Sequence, residues 1–97
     1  MELKRVVVTG LGALTPVGNN VAETWDNLVK GVSGAGPITH FDASKFKTHF
    51  ACEVKNFNGT DYIDRKELRK MDLYTQYAIA AAKEAVEDSG MDLEKED

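Results

Sequence analysis

Residues Arg5-Val6-Val7-Val8-Thr9 form an unbroken, largely β-branched run closed by Gly10, the pattern of a strand buried on both faces in a parallel sheet between helices. Such a strand needs neighbours on either side. After a loop containing Pro16, Asn20 with Glu23 three residues later predicts a capped helix start. Val21, Trp25, Leu28 and Val32 then recur at helical spacing as one apolar stripe, and Gly31 is placed to end the helix. From Val32 to His49 no period is sustained, which predicts a long irregular connection. Phe50, Cys52 and Val54 alternate with Ala51, Glu53 and Lys55, predicting a half-buried strand with the first three inward. Asn56 to Thr60 interrupts it. Asp64 with Glu67 predicts a second capped helix, and a third runs from about Asp72 to Ser89 with Gly90 as its stop. Ala78, Ala80, Ala81, Ala82 and Ala85 line nearly every side of that third helix, which predicts a central, mostly buried position.

A strand without neighbours, an alternating strand and three helices offer more apolar surface than 97 residues can mutually cover. The expectation is therefore that residues 1–97 are the first, incomplete portion of a larger α/β protein. Composition agrees with a globular class, at 42% hydrophobic and 29% charged residues. Twelve Lys and Arg against 16 Asp and Glu give a net charge of −4, which argues against bulk attraction to nucleic acid or an anionic membrane. The longest apolar run, Tyr77 to Ala82, is too short to span a bilayer, and three valines after a charged start are far short of a secretory core. One cysteine forms no internal disulfide and no zinc cluster, so a cytoplasmic location is expected. There is no internal repeat.

Gly10-Leu11-Gly12 after the first apolar run invites a dinucleotide-binding reading, but the third glycine position is Thr15 followed by Pro16, and the motif fails. His40, Asp42, His49 and Cys52 lack the spacing of a metal site, and Cys52 shares the parity of Phe50 and Val54, as a small buried hydrophobe would. No cofactor, metal or catalytic residue is assigned. Arg65-Lys66-Glu67-Leu68-Arg69-Lys70 is more informative, with four bases against one acid in an acidic chain. On a helix, Lys66, Arg69 and Lys70 fall at i, i+3 and i+4 and share a face. That face is either a solvated surface balanced by Asp61, Asp64 and Asp72, or a docking site for an acidic partner. Without interleaved aromatic residues it is a poor nucleic-acid surface.

Taken together, Arg5 to Gly12, Thr15-Pro16-Val17-Gly18-Asn19, Ile38 to Asp42, Val54-Lys55-Asn56-Phe57 and Asp64 to Asp72 resemble the beginning of the β-ketoacyl-acyl carrier protein synthases, closest to the synthase II branch. The resemblance implies the N-terminal part of a thiolase-like fold layered α, β, α, β, α, with residues 1–97 lying in its first domain. It also implies a homodimeric enzyme of fatty-acid elongation that needs no dissociable cofactor. In that family a cysteine takes the acyl chain, malonyl on acyl carrier protein loses CO2, and the resulting carbanion attacks the thioester with two histidines assisting. Those catalytic residues lie beyond residue 97, and Cys52 does not inherit the nucleophile's role. What carries over is the basic helix, whose family counterpart docks acyl carrier protein and which maps onto Lys66, Arg69 and Lys70, with Arg65 beside them. The competing expectation is a small non-enzymatic module that binds an acidic protein through the same patch.

Overall fold

The computed structural model of the chain describes residues 2–95. Helices α1 (Val21–Val29), α2 (Arg65–Leu68) and α3 (Leu73–Ser89) accompany an antiparallel ribbon of β1 (Ala35–Pro37) and β2 (Phe50–Cys52). Gly36 pairs with Ala51, flanked by Ala35 with Cys52 and Pro37 with Phe50. A 3-10 turn over Gly59–Asp61 leads into α2.

The helix ends follow from their capping chemistry. At α1 the Asn20 side chain accepts the Glu23 N–H at 2.8 Å. At its far end Gly31 takes φ +73°, its N–H donating to the Leu28 carbonyl and that of Val32 to the Asn27 carbonyl, the double closure of a Schellman motif. Gly90 ends α3 at φ +70°. The expected cap of α2 is not made: Asp64 forms no side-chain capping bond. One turn of α2 then tapers through Lys70 N–H to Glu67 and Met71 N–H to Leu68, as helix ends tighten when they run out of i+4 partners.

The run Arg5 to Thr9 is not a strand, and Val6 and Val8 are 88% and 79% exposed. Strand identity is conferred by ladder hydrogen bonds to a neighbour, and among the described residues the two strands pair only with each other. From Gly10 the chain instead lies along α3. A Cβ on Gly10 or Gly12 would overlap the carbonyl of Ala85 or Ala81, so glycine is what permits this approach. Two carboxylates of α3 hold the segment in place: Asp88 accepts the Leu11 N–H at 3.0 Å and Glu84 the Ala13 N–H at 2.9 Å. Glu84 also accepts the Val21 N–H at 3.1 Å, so one side chain ties the loop and the start of α1 to α3.

Two further expectations change. Ala51, not Phe50 or Cys52, is the more covered residue of β2, and Cys52 is exposed. Gly36, opposite Ala51, lines the groove beside α3, while Phe50 and Cys52 are left exposed. In α3 Ala80 is the buried residue, at 4% exposure. Residues 10–13 cover one side of the helix and the 3-10 turn touches another, but the rest is open. The chain exposes 8108 Å², whereas a compact monomer of 10.7 kDa exposes about 5,500 Å². Its radius of gyration of 17.2 Å also exceeds the roughly 13 Å of a compact domain this long. The apolar stripe of α1 exists as expected, but Trp25 and Leu28 face outward, 67% and 56% exposed.

Candidate partner-docking face

The basic cluster sits at the corner where α2 turns into α3. Phe57, Tyr62 and Tyr77 pack on one another where the end of the 3-10 turn meets α3: Phe57 stacks on Tyr62 with ring centroids 5.8 Å apart and meets Tyr77 edge-on at 4.9 Å, both favourable arrangements for aromatic quadrupoles. The 3-10 turn packs against both α2 and α3. At its start Gly59 is buried, and a Cβ there would lie 2.5 Å from Leu68 Cδ1 and 2.7 Å from Gln76 Oε1. The Gln76 carboxamide in turn donates from Nε2 to the Met71 carbonyl at 3.2 Å. Lys83 Nζ reaches the Tyr62 carbonyl at 3.5 Å.

On this platform Ile63, Leu68 and Met71 are half-buried, and Arg65, Lys66, Arg69 and Lys70 are all exposed, the division expected of a short amphipathic turn. Only Lys66 and Arg65 lie within α2 itself; Arg69 is its C-terminal cap and Lys70 follows in the closing turn. Within the cluster, among the described residues, Lys70 pairs with Glu67 at 3.9 Å, both side chains more than half exposed. Such a pair contributes little. Asp64 and Asp72 stand at the N-caps of α2 and α3 without side-chain capping bonds.

A second polar constellation lies between the ribbon and α3, in a groove of about 510 Å³. Glu53 accepts the Thr39 N–H at 3.2 Å, the Thr39 hydroxyl at 2.8 Å and the His40 N–H at 3.3 Å, with His40 Nε2 3.6 Å away. Desolvation pushes the Glu53 carboxyl up, but the hydrogen bonds from Thr39 and His40 and the His40 charge outweigh it and hold the group below the usual carboxylate range. Burial, with the Glu53 charge beside it, pushes the Tyr77 phenol up. Lys55 Nζ donates to the carbonyls of Pro16, Gly34 and Glu53, joining three segments distant in sequence. These contacts close the loop after β1 and bring no nucleophile to the groove. Cys52, on the open face of the ribbon, is not part of it, and the described residues contain no group of three or more ligands able to hold a metal ion.

Sequence reasoning located the cations but not their support. Gly59 reads as one glycine in a turn-rich stretch and Gln76 as a polar residue on a helix; neither carries a pattern that signals its neighbour. Glu53, Lys55 and Glu84 likewise act through contacts 13 to 71 residues away in sequence, beyond any local period.

The chain belongs to the beta-ketoacyl synthase N-terminal domain family, whose model matches residues 3–97. It is 56% identical over 90 residues to 3-oxoacyl-[acyl-carrier-protein] synthase 2 of Staphylococcus aureus strain COL, a match covering 93% of this chain and 22% of that protein. With the enzyme of the same description from Vibrio harveyi it shares 51% identity over 96 residues, 99% of this chain and 23% of that one. Among solved structures, the ishigamide ketosynthase/chain length factor superposes with a TM-score of 0.83 at 41% identity, over 91% of this chain and 22% of that chain. The fold is thus the α/β fold of a thiolase-like ketosynthase, seen over its N-terminal part. The chain spans about a fifth of the length of the relatives it matches.

Proposed function

We propose that the chain is the N-terminal part of the first thiolase-like domain of a β-ketoacyl-acyl carrier protein synthase of type II fatty-acid synthesis, and that its basic corner docks the carrier. In this reading the complete, homodimeric, cytoplasmic enzyme condenses an enzyme-bound acyl group with malonyl on acyl carrier protein. The acyl chain is transferred to a cysteine as a thioester; malonyl loses CO2; the carbanion left behind attacks the thioester carbonyl and expels the cysteine thiolate. The residues performing these steps are not among residues 1–97. Arg65, Lys66, Arg69 and Lys70 supply recognition: four exposed cations on one corner attract an acidic surface over distance and fix its register on contact.

The observation that carries the docking reading is this concentration of exposed positive charge in a chain of net charge −4. Its test is charge reversal, Lys66→Glu with Arg69→Glu and Lys70→Glu, in the complete enzyme. The expected outcome is a rise in KM of at least about tenfold for carrier-bound substrates, easing as salt screens the wild-type attraction, with turnover of small thioester surrogates retained. Equal loss on both substrate types would refute a docking role.

A further inference from the structure

Docking at the basic corner depends on charges, and the structure also shows what aims them. Two of the four cations, Arg69 and Lys70, follow the last residue of a helix of only four residues, a length that has no stability of its own. Their placement must come from the packing underneath. Leu68, the one apolar side chain of α2, rests on Gly59 at a separation that a single added carbon would violate, and Gln76 closes the other side of the same contact. The Gln76 carboxamide occupies the corner: Oε1 lies where a side chain on residue 59 would have to go, and Nε2 donates to the carbonyl of Met71, the residue directly after Lys70.

Resting on the docking reading, we propose that Gln76 and Gly59 are positioning residues of the docking face. Gln76, from the first turn of α3, pins the chain at Met71 and so fixes the direction in which Arg69 and Lys70 leave the corner; Gly59 provides the space that lets Leu68 seat α2 on the 3-10 turn. Neither residue is charged and neither is needed on the surface, yet each sets the geometry of cations that are. Because acidic partners read the spacing of charges as well as their sum, displacing the corner weakens docking with no change in net charge.

The test is Gln76→Leu in the complete enzyme, a change of similar volume that removes the bond to the Met71 carbonyl. Binding of an acyl carrier protein is expected to weaken about fivefold, the scale of losing one well-placed exposed charge contact, while turnover of a small thioester is unchanged. Amide exchange at Lys70 and Met71 is expected to accelerate, with the amides of the middle of α3 unaffected. In a background carrying Lys66→Ser, Arg69→Ser and Lys70→Ser the binding effect of Gln76→Leu should vanish, since a residue acting through those cations has nothing left to position. Gly59→Ala, which drives the Leu68 and Gln76 side chains apart, should reproduce the binding loss. The proposal is overturned if Gln76→Leu leaves exchange at Lys70 and Met71 unchanged, or if its effect on binding persists undiminished in the neutralised background. Unchanged binding by the neutralised variant alone would instead refute the docking reading, and exchange at Lys70 and Met71 would still decide whether Gln76 holds the corner.

Discussion

At the α2–α3 corner, Phe57 meets Tyr62 and Tyr77, and Leu68 meets Gly59, all within a stretch of about twenty residues, and these rings and methyl groups are half-buried. Val6, Val7, Val8, Trp25 and Leu28 are as apolar, yet every one of them is more than half exposed. The difference lies in the range of the contacts each region needs. A helical corner closes with side chains that arrive a few turns apart along the chain, whereas a two-faced apolar strand is satisfied only by partner strands and by layers on both sides. The chain as a whole exposes roughly 2,600 Å² more than a compact chain of this mass. One region closes on near neighbours in sequence, and the other leaves its apolar residues exposed.

The sharpest way to break this contrast is to truncate one aromatic residue in each region. Tyr77→Ala removes the ring that Phe57 meets edge-on and opens the groove wall, and is expected to destabilise residues 1–97 by about 3 kcal/mol. Trp25→Ala, at a position 67% exposed, is expected to change stability by no more than about 0.5 kcal/mol in the same chain. Amide exchange of the residues around each site, measured side by side, decides the matter, since local opening is read without requiring one cooperative unfolding of residues 1–97. Equal losses would mean that Trp25 is covered by contacts the structure does not contain, and the two regions would no longer differ.

A smaller effect tests how the open region is fastened. Glu84 is the acceptor for the backbone of both Ala13 and Val21, so Glu84→Ala leaves two N–H groups to find water and is expected to cost about 2 kcal/mol, in the range for hydrogen bonds to a charged group. The amides of Ala13 and Val21 should then exchange faster together, because one carboxylate serves them both. Acceleration of only one of the two would show that the loop and α1 are held independently.

Much of this could be read from residue order because it is local. Asn20 with Glu23, Gly31 and Gly90 are signals whose partners lie within five residues, and the structure places all of them at helix ends as expected. The cations at 65, 66, 69 and 70 were visible for the same reason. What could not be read was non-local. The valines of residues 6–8 carry the propensity of a strand, but propensity supplies no ladder partner. The parity of Phe50, Cys52 and Val54 gives a two-fold alternation without saying which side is covered, and the structure covers the side of Ala51 and its partner Gly36, of which Gly36 lines the groove beside α3. The alanines of α3 announced that something could approach closely; that the visitor is the backbone at Gly10 and Gly12 depends on two glycines some seventy residues earlier. Asp64 with Glu67 matched a capping motif and made no capping bond.

That last pair gives the smallest and most discriminating prediction. Asn20→Ala and Asp64→Ala delete matching sequence signals at the starts of α1 and α2, but only Asn20 accepts an N–H in the structure. Asn20→Ala is expected to cost about 1 kcal/mol, the usual value of an N-cap, because α1 packs little of its stripe and depends on its ends. Asp64→Ala is expected to be neutral to within about 0.3 kcal/mol in stability. It also removes a negative charge directly beside Arg65, so binding of an acidic partner should be unchanged or slightly tighter. A loss of stability at Asp64 equal to that at Asn20 would mean that α2 is held by its own cap and not by Leu68 on Gly59, and the distinction between a corner seated by packing and a helix sustained by its termini would fail where it is most easily measured.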